Sequence, residues 1–223
     1  MPVVANMEGD SPNQDHSYLM TVSRCVLALF IAAVVLISPT EALAQEAGAT
    51  VEEPELRDEL LEMLDDWESL RDSLDRAHGY DQPMPPADSA RMEELVEQNV
   101  DRLSDIIREH GFPGNSMVGE EGSQAIWVLT QHADGHLEFQ RGVLSFMKEA
   151  VEENEVDPRH VAYLEDRVRI AQGRDQVYGT QVQFLDGMPR PFPIEDAEDV
   201  DERRDEMGLQ PLEEYLRELR EMQ

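Results

Sequence analysis

Two histidines and two acids fall within Gln131-His132-Ala133-Asp134-Gly135-His136-Leu137-Glu138, an inventory that suits either a divalent metal or a histidine general base oriented by a carboxylate. The spacing argues against the metal. Gly135 is expected to end the helix before it, so His132 and His136 do not share a face at i, i+4. His132 follows Ala125 by seven residues, Val128 by four and Leu129 by three, and so points where those apolar residues point. Gln140 interrupts the inward series Leu137, Leu144, Met147 and Val151, and Arg167 has Tyr163, Leu164, Ile170 and Ala171 as its three- and four-residue neighbours. Burying such groups unpaired costs about 1–3 kcal/mol each, more for an arginine, so each must find a partner. Two arrangements satisfy that demand. In one, His132, Gln140, Arg167 and Asp166 lock three helices together. In the other, the same groups line a ligand pocket.

Other chemistries are poorly supplied. So many carboxylates are present that an Asp or Glu pair at any spacing is expected by chance and says nothing of glycosidase-type catalysis. No P-loop, dinucleotide-binding glycine pattern, zinc-protease helix or calcium loop occurs, and no cofactor is indicated. Gly114 to Gly119 has one residue too many for a nucleophile elbow and is not preceded by an expected strand. The single cysteine, Cys25, precedes an apolar run, so thiol catalysis and cysteine metal sites are excluded from the rest of the chain.

The elements that must position these groups are mostly helical. Pro54 opens a helix with Leu56, Leu60, Leu64, Trp67, Leu70 and Leu74 at helical steps, running to about Ala77. A proline-rich loop from His78 to Ala87 comes next. Asp88 or Ser89 is expected to cap a second helix that Gly111 ends. Residues 112–119 read as a turn-rich connection, leading to a third helix over about 120–133, a fourth over about 137–153, and a fifth opened by Asp157-Pro158 and stopped at Gly173. Gln176 to Leu185, Asp186-Gly187 and Met188 to Ile194 read as a β-hairpin or extended arm, its second limb confined to an edge by prolines. Short helices near 198–207 and from Pro211 finish the chain. The fold class is mainly α: a single helical domain over 53–223 with a small C-terminal β-element.

Residues 1–44 read as an address. The apolar run Cys25 to Ile37 reaches roughly 20 Å as a helix, short of the ~30 Å of bilayer hydrocarbon, and Ala42-Leu43-Ala44 is a cleavage site, which implies export to the periplasm or medium with no lasting membrane anchor. Met20-Thr-Val-Ser-Arg24 suits the basic start of such a signal better than the acidic residues before it, making Met20 the expected true start; 45–52 is a linker. Removing residues 1–44 takes away Glu8, Asp10, Asp15, Glu41 and Arg24, leaving 45 acids, 17 bases and a net charge of −28 over 179 residues. Nucleic acid and anionic membranes are thereby unsuitable partners. Lys148 is the single lysine. Dispersed acids with almost no lysine read as adaptation to concentrated salt, which screens self-repulsion.

The chain also carries Gly111-Phe-Pro, Ala125-Ile-Trp127, Gln131-His-Ala-Asp134, Phe139-Gln140, Asp157-Pro158, Tyr163-Leu-Glu-Asp-Arg167, Gly173 and Tyr178-Gly-Thr-Gln181. In these it resembles an uncharacterised bacterial family of unknown function, over residues 111–215 and not over the first two helices. The resemblance implies that His132, Asp134, Gln140, Asp166, Arg167, Gln176, Tyr178, Thr180 and Gln181 belong to one site, and it leaves His136 outside. The expectation is an exported domain that binds a small polar or anionic ligand through Gln131, Gln140, Arg167, Gln176, Tyr178, Thr180 and Gln181. The alternatives are a hydrolase or transferase using His132 as general base beside Asp134 or Asp166, and a protein-interaction module.

Overall fold

A computed structural model of the protein describes residues 51–79 and 84–222; residues 1–44, expected to be a signal segment, and most of the expected 45–52 linker lie outside them. Among the described residues are seven α-helices and one two-stranded antiparallel hairpin. The helices are α1 (Pro54–His78), α2 (Pro86–His110), α3 (Asn115–Gln131), α4 (Leu137–Glu152), α5 (Pro158–Ala171), α6 (Val200–Glu206) and α7 (Leu212–Glu221), with β1 (Val182–Leu185) and β2 (Met188–Pro191) between α5 and α6. None of the described helices is long and apolar enough to cross a membrane.

The core is organised around α3. Helices α1 and α2 each bury one stripe, but α3 buries residues on most of its circumference, as a helix enclosed by others must. Ala125, Ile126 and Leu129 pack with Leu56, Leu60 and Trp67 of α1 and with Leu103 and Ile106 of α2. From another side of α3, Trp127 joins Val143, Leu144 and Met147 of α4 to Val161, Leu164 and Val168 of α5. A third, smaller cluster sets Val182 of β1 against Tyr215 and Leu219 of α7.

Local chemistry accounts for most boundaries. Asp157 caps α5 by accepting a hydrogen bond from the Arg159 N–H at 2.8 Å, with Pro158 at the first helical position. The hairpin turn places Asp186 and Gly187 at φ 53° and 72°, the paired left-handed residues of a two-residue turn that matches the strand twist. Two boundaries differ from the sequence reading. Helix α2 starts at Pro86 without a side-chain cap, because the Asp88 carboxylate lies 2.8 Å from Nε2 of His78 at the end of α1. Residues 115–118 already make a helical turn, and α3 proper begins after a kink at Gly119, whose φ of 73° breaks the helix.

Beyond α5 the chain is held by arginines that grip backbone carbonyls. Buried Arg204 donates from Nη1 to Tyr178 O (2.7 Å) and from Nε to Gln210 O (2.6 Å). Arg203 donates to Val177 O (3.0 Å) and Glu195 O (2.6 Å). Arg169 donates to Asp175 O (2.6 Å) and pairs with Glu195.

Candidate functional site

Helix α3 ends at Gln131, and residues 132–136 turn tightly into α4, with Gly135 at φ 89°. An α-helix leaves its last carbonyls without helical donors. Gln140, on the first turn of α4, reaches back so that its Nε2 donates to Thr130 O (3.1 Å) and Gln131 O (3.3 Å). The glutamine that breaks the apolar stripe of α4 is therefore the plug for the end of α3.

His132 is the residue just past that end. Its ring stacks on Trp67 of α1, with centroids 4.4 Å apart and planes 16° from parallel. The Arg71 guanidinium, one turn along α1, lies 4.9 Å from the same indole and pairs with Asp72 at 2.9 Å. His132 Nδ1 is shielded from solvent and has no hydrogen-bond partner among the described residues. Burial, then the charges of Arg167 and Arg71, lower the His132 pKa to about 3 against the pull of Asp134, so the ring is neutral over the physiological range.

Arg167 approaches from α5. It is buried, and its Nη2 donates to Asp134 Oδ1 at 2.8 Å, while its Nε is buried without a partner among the described residues. Gln131 lies at the same junction, buried, with its Oε1 also unpartnered. His132, Asp134 and Arg167, together with Gln131 and Gln140, thus meet where α1, the end of α3 and α5 converge.

The remaining candidates form a separate arrangement on another side of α5. Asp166, fully enclosed, accepts from Val177 N (2.6 Å), Tyr178 N (3.1 Å), Thr180 N (2.9 Å) and Thr180 Oγ1 (2.9 Å). Burial raises its pKa, and these four hydrogen bonds act against the rise. All four neighbours are donors, a set that suits the ionised carboxylate. Gln176 closes the same loop: its Nε2 donates to Gln181 O (3.0 Å) and Phe192 O (2.9 Å), and its Oε1 accepts from Gln181 N (2.9 Å). Gln181 Nε2 turns to Thr180 Oγ1 (3.2 Å), and Tyr215 donates to Thr180 O (3.0 Å). Asp166 and Arg167 are neighbours in sequence but serve different sides of the helix. The bonded groups of residues 176–181 reach one another, Asp166, the Phe192 carbonyl, Arg203, Arg204 and Tyr215.

The profile of one protein family matches residues 54–223, from the first residue of α1 to the end of the chain. The chain belongs to DUF6624, a family of unknown function. The match takes in α1 and α2, beyond the 111–215 that the sequence motifs mark, so Trp67 and Arg71 lie inside the DUF6624 unit. Comparison with curated proteins and with solved structures gives no match.

Trp67 and Arg71 are the residues of this DUF6624 chain that sequence reasoning passed over. The signal was present: Arg71 sits four residues after Trp67 and three before Leu74, the same intrusion into an apolar stripe that marked Arg167. A second stack, His160 on Trp127 with centroids 3.9 Å apart and planes 8° from parallel, was equally silent. Among the described residues no group of three or more His, Cys, Asp or Glu side chains is placed to hold a metal ion.

Gln140→Leu provides a direct check on the plug at the end of α3. It fills the same space but removes the side-chain donor to Gln131 O, while Thr130 O keeps the Ala133 N–H at 3.2 Å, so unfolding stability is expected to fall by about 1 kcal/mol. Chemical denaturation with an unchanged midpoint would mean that the Gln131 carbonyl has another donor.

Proposed function

We propose that the mature chain is an exported small-ligand-binding domain whose site lies where α1, the end of α3 and α5 meet. The observation that carries this reading is a pair of buried arginines, Arg71 and Arg167, flanking a neutral His132 whose Nδ1 lacks a partner among the described residues, as does the Arg167 Nε. Structural networks satisfy their buried polar groups. This one leaves a donor and an imidazole nitrogen for a polar or anionic molecule. A bacterial origin, export to the periplasm or medium, and a surface suited to concentrated salt belong to the same proposal; they rest on Ala42-Leu43-Ala44, the motifs, and the excess of 49 acids over 18 bases.

Binding is favoured over acid–base catalysis because a base whose conjugate acid has a pKa of about 3 accepts a proton weakly near neutrality. Asp166, the other candidate catalytic acid, already accepts four hydrogen bonds from the loop and Thr180.

The test is a thermal-shift screen of small polar metabolites, with titration of intrinsic fluorescence for each hit, since Trp67 belongs to the stack. A true ligand raises the midpoint and perturbs the emission in the parent chain, and Trp67→Phe removes that perturbation. A ligand that raises the midpoint without any change traceable to Trp67 would place binding elsewhere.

A further inference from the structure

The guanidinium of Arg167 is only half engaged. On an arginine, the Nε–H and one N–H of Nη2 point the same way and form a fork that matches the two oxygens of a carboxylate. Here Nη2 donates to Asp134 Oδ1 at 2.8 Å, and Nε, shielded from solvent, has no partner among the described residues. Elsewhere in the same chain the fork is filled: Arg102 gives Nε to Glu59 Oε1 (2.5 Å) and Nη2 to Glu59 Oε2 (2.8 Å). Asp134 thus reaches Arg167 in a geometry that leaves the side-on pairing incomplete.

The two partners also differ in exposure. The Arg167 side chain is 10% exposed and that of Asp134 is 45% exposed. Asp134 precedes Gly135, at φ 89°, around which a Cβ would meet nothing within 4 Å. The route from solvent to the buried guanidinium therefore passes a carboxylate carried on an open turn.

Charge sets a further condition. Arg71 and Arg167 already face three carboxylates, Asp72, Asp75 and Asp134. An anion added to this group meets net repulsion, whereas one that replaces Asp134 leaves the local charge unchanged.

Resting on the ligand-site reading above, we infer that Asp134 is a tethered occupant of a carboxylate-binding fork on Arg167, and that the ligand is a small molecule whose carboxylate displaces it. The incoming carboxylate takes both Nε and Nη2, and Asp134 turns outward to water. His132, whose Nδ1 also lacks a partner among the described residues, offers a second polar atom for the ligand. The tether acts as a threshold: carboxylates that cannot complete the fork do not displace it.

Asp134→Ala separates this from simpler arrangements. Acetate and lactate are titrated at constant ionic strength against the parent chain, Asp134→Ala, Arg167→Met and Arg167→Lys, with acetamide and chloride as controls and both thermal midpoint and fluorescence as readouts. The expected result is saturable stabilisation of Asp134→Ala at about ten-fold lower carboxylate concentration than the parent requires. Acetamide and chloride should have no comparable effect. Arg167→Lys keeps the charge but not the fork, and is expected to lose the response even if Arg167→Met folds poorly. Equal concentration dependence in the parent and Asp134→Ala overturns the tether, as does a response to chloride matching that to acetate or no response to carboxylate in any variant. If a ligand from the metabolite screen still binds the parent through Trp67, the site reading survives that result. If the ligand still raises the midpoint of Arg167→Lys and no emission change is traceable to Trp67, the site itself is misplaced.

Discussion

Replacing Asp166 by alanine is expected to cost about 3–5 kcal/mol and to release the arm that extends from the end of α5. The carboxylate is the common acceptor for three backbone N–H groups and the Thr180 hydroxyl. Its removal strands those donors in a region closed by Tyr215, Gln176 and Gln181, where water has little access. A buried charge-assisted set loses several kcal/mol when its centre is deleted. Asp166→Asn is informative because it keeps the shape: the amide oxygen can accept some of these bonds, but its NH2 faces further donors, so it should rescue only part of the loss. Limited proteolysis supplies the spatial readout, with cleavage appearing first within residues 174–195 while α1 to α5 stay intact. A variant that resists protease and unfolds like the parent would mean that the loop is organised by something other than this carboxylate.

The second large effect is a loss of stability in mild acid. His132 and His160 have folded-state pKa values lowered to about 3 and about 4, in both cases chiefly by burial. In the unfolded chain each returns to about 6.5. The unfolded state therefore binds more protons below pH 6.5, and stability present above that value is lost progressively as the pH falls toward the folded values. Each histidine contributes a slope of up to about 1.4 kcal/mol per pH unit. Discounted for the solvent contact that both rings retain, the loss between pH 6.5 and 5 comes to about 1–3 kcal/mol, a large share of the stability of an ordinary domain. His132→Phe keeps an aromatic ring on Trp67 and removes one titration, so it should remove about half of the slope. Stability that is flat from pH 7 to 5 at fixed high salt would show that both rings protonate freely in the folded state.

Periodicity carries much of this fold and rather less of the site. The stripe on α1, the Asp157-Pro158 start of α5 and the Asp186-Gly187 turn are local signals, and each is realised because its cause lies within a few residues. His132, Gln140 and Arg167 were legible as polar intrusions on apolar faces for the same reason. What each one meets was not legible. The stacking partner of His132 is 65 positions earlier in the chain. Asp166 differs from Arg167 by about 100° around the helix, yet what takes it away from the His132 junction is a loop whose path no spacing rule reveals. Asp88 shows the converse. Its type and position are those of a helix cap, but a tertiary partner, His78, holds the carboxylate instead.

The arginines that grip the arm also bear on which substitutions this chain can accept. At Arg203 and Arg204 the guanidinium spans two carbonyls belonging to separate segments, Val177 and Glu195 in one case and Tyr178 and Gln210 in the other. A lysine ammonium is a compact donor at the end of a flexible stem and cannot bridge two acceptors in that fixed plane. Arginine at these positions is a joint between segments before it is a counter-charge. Lys148 is the chain's single lysine, and at Arg203 and Arg204 the choice of arginine has a mechanical reason that the electrostatics of the surface does not touch.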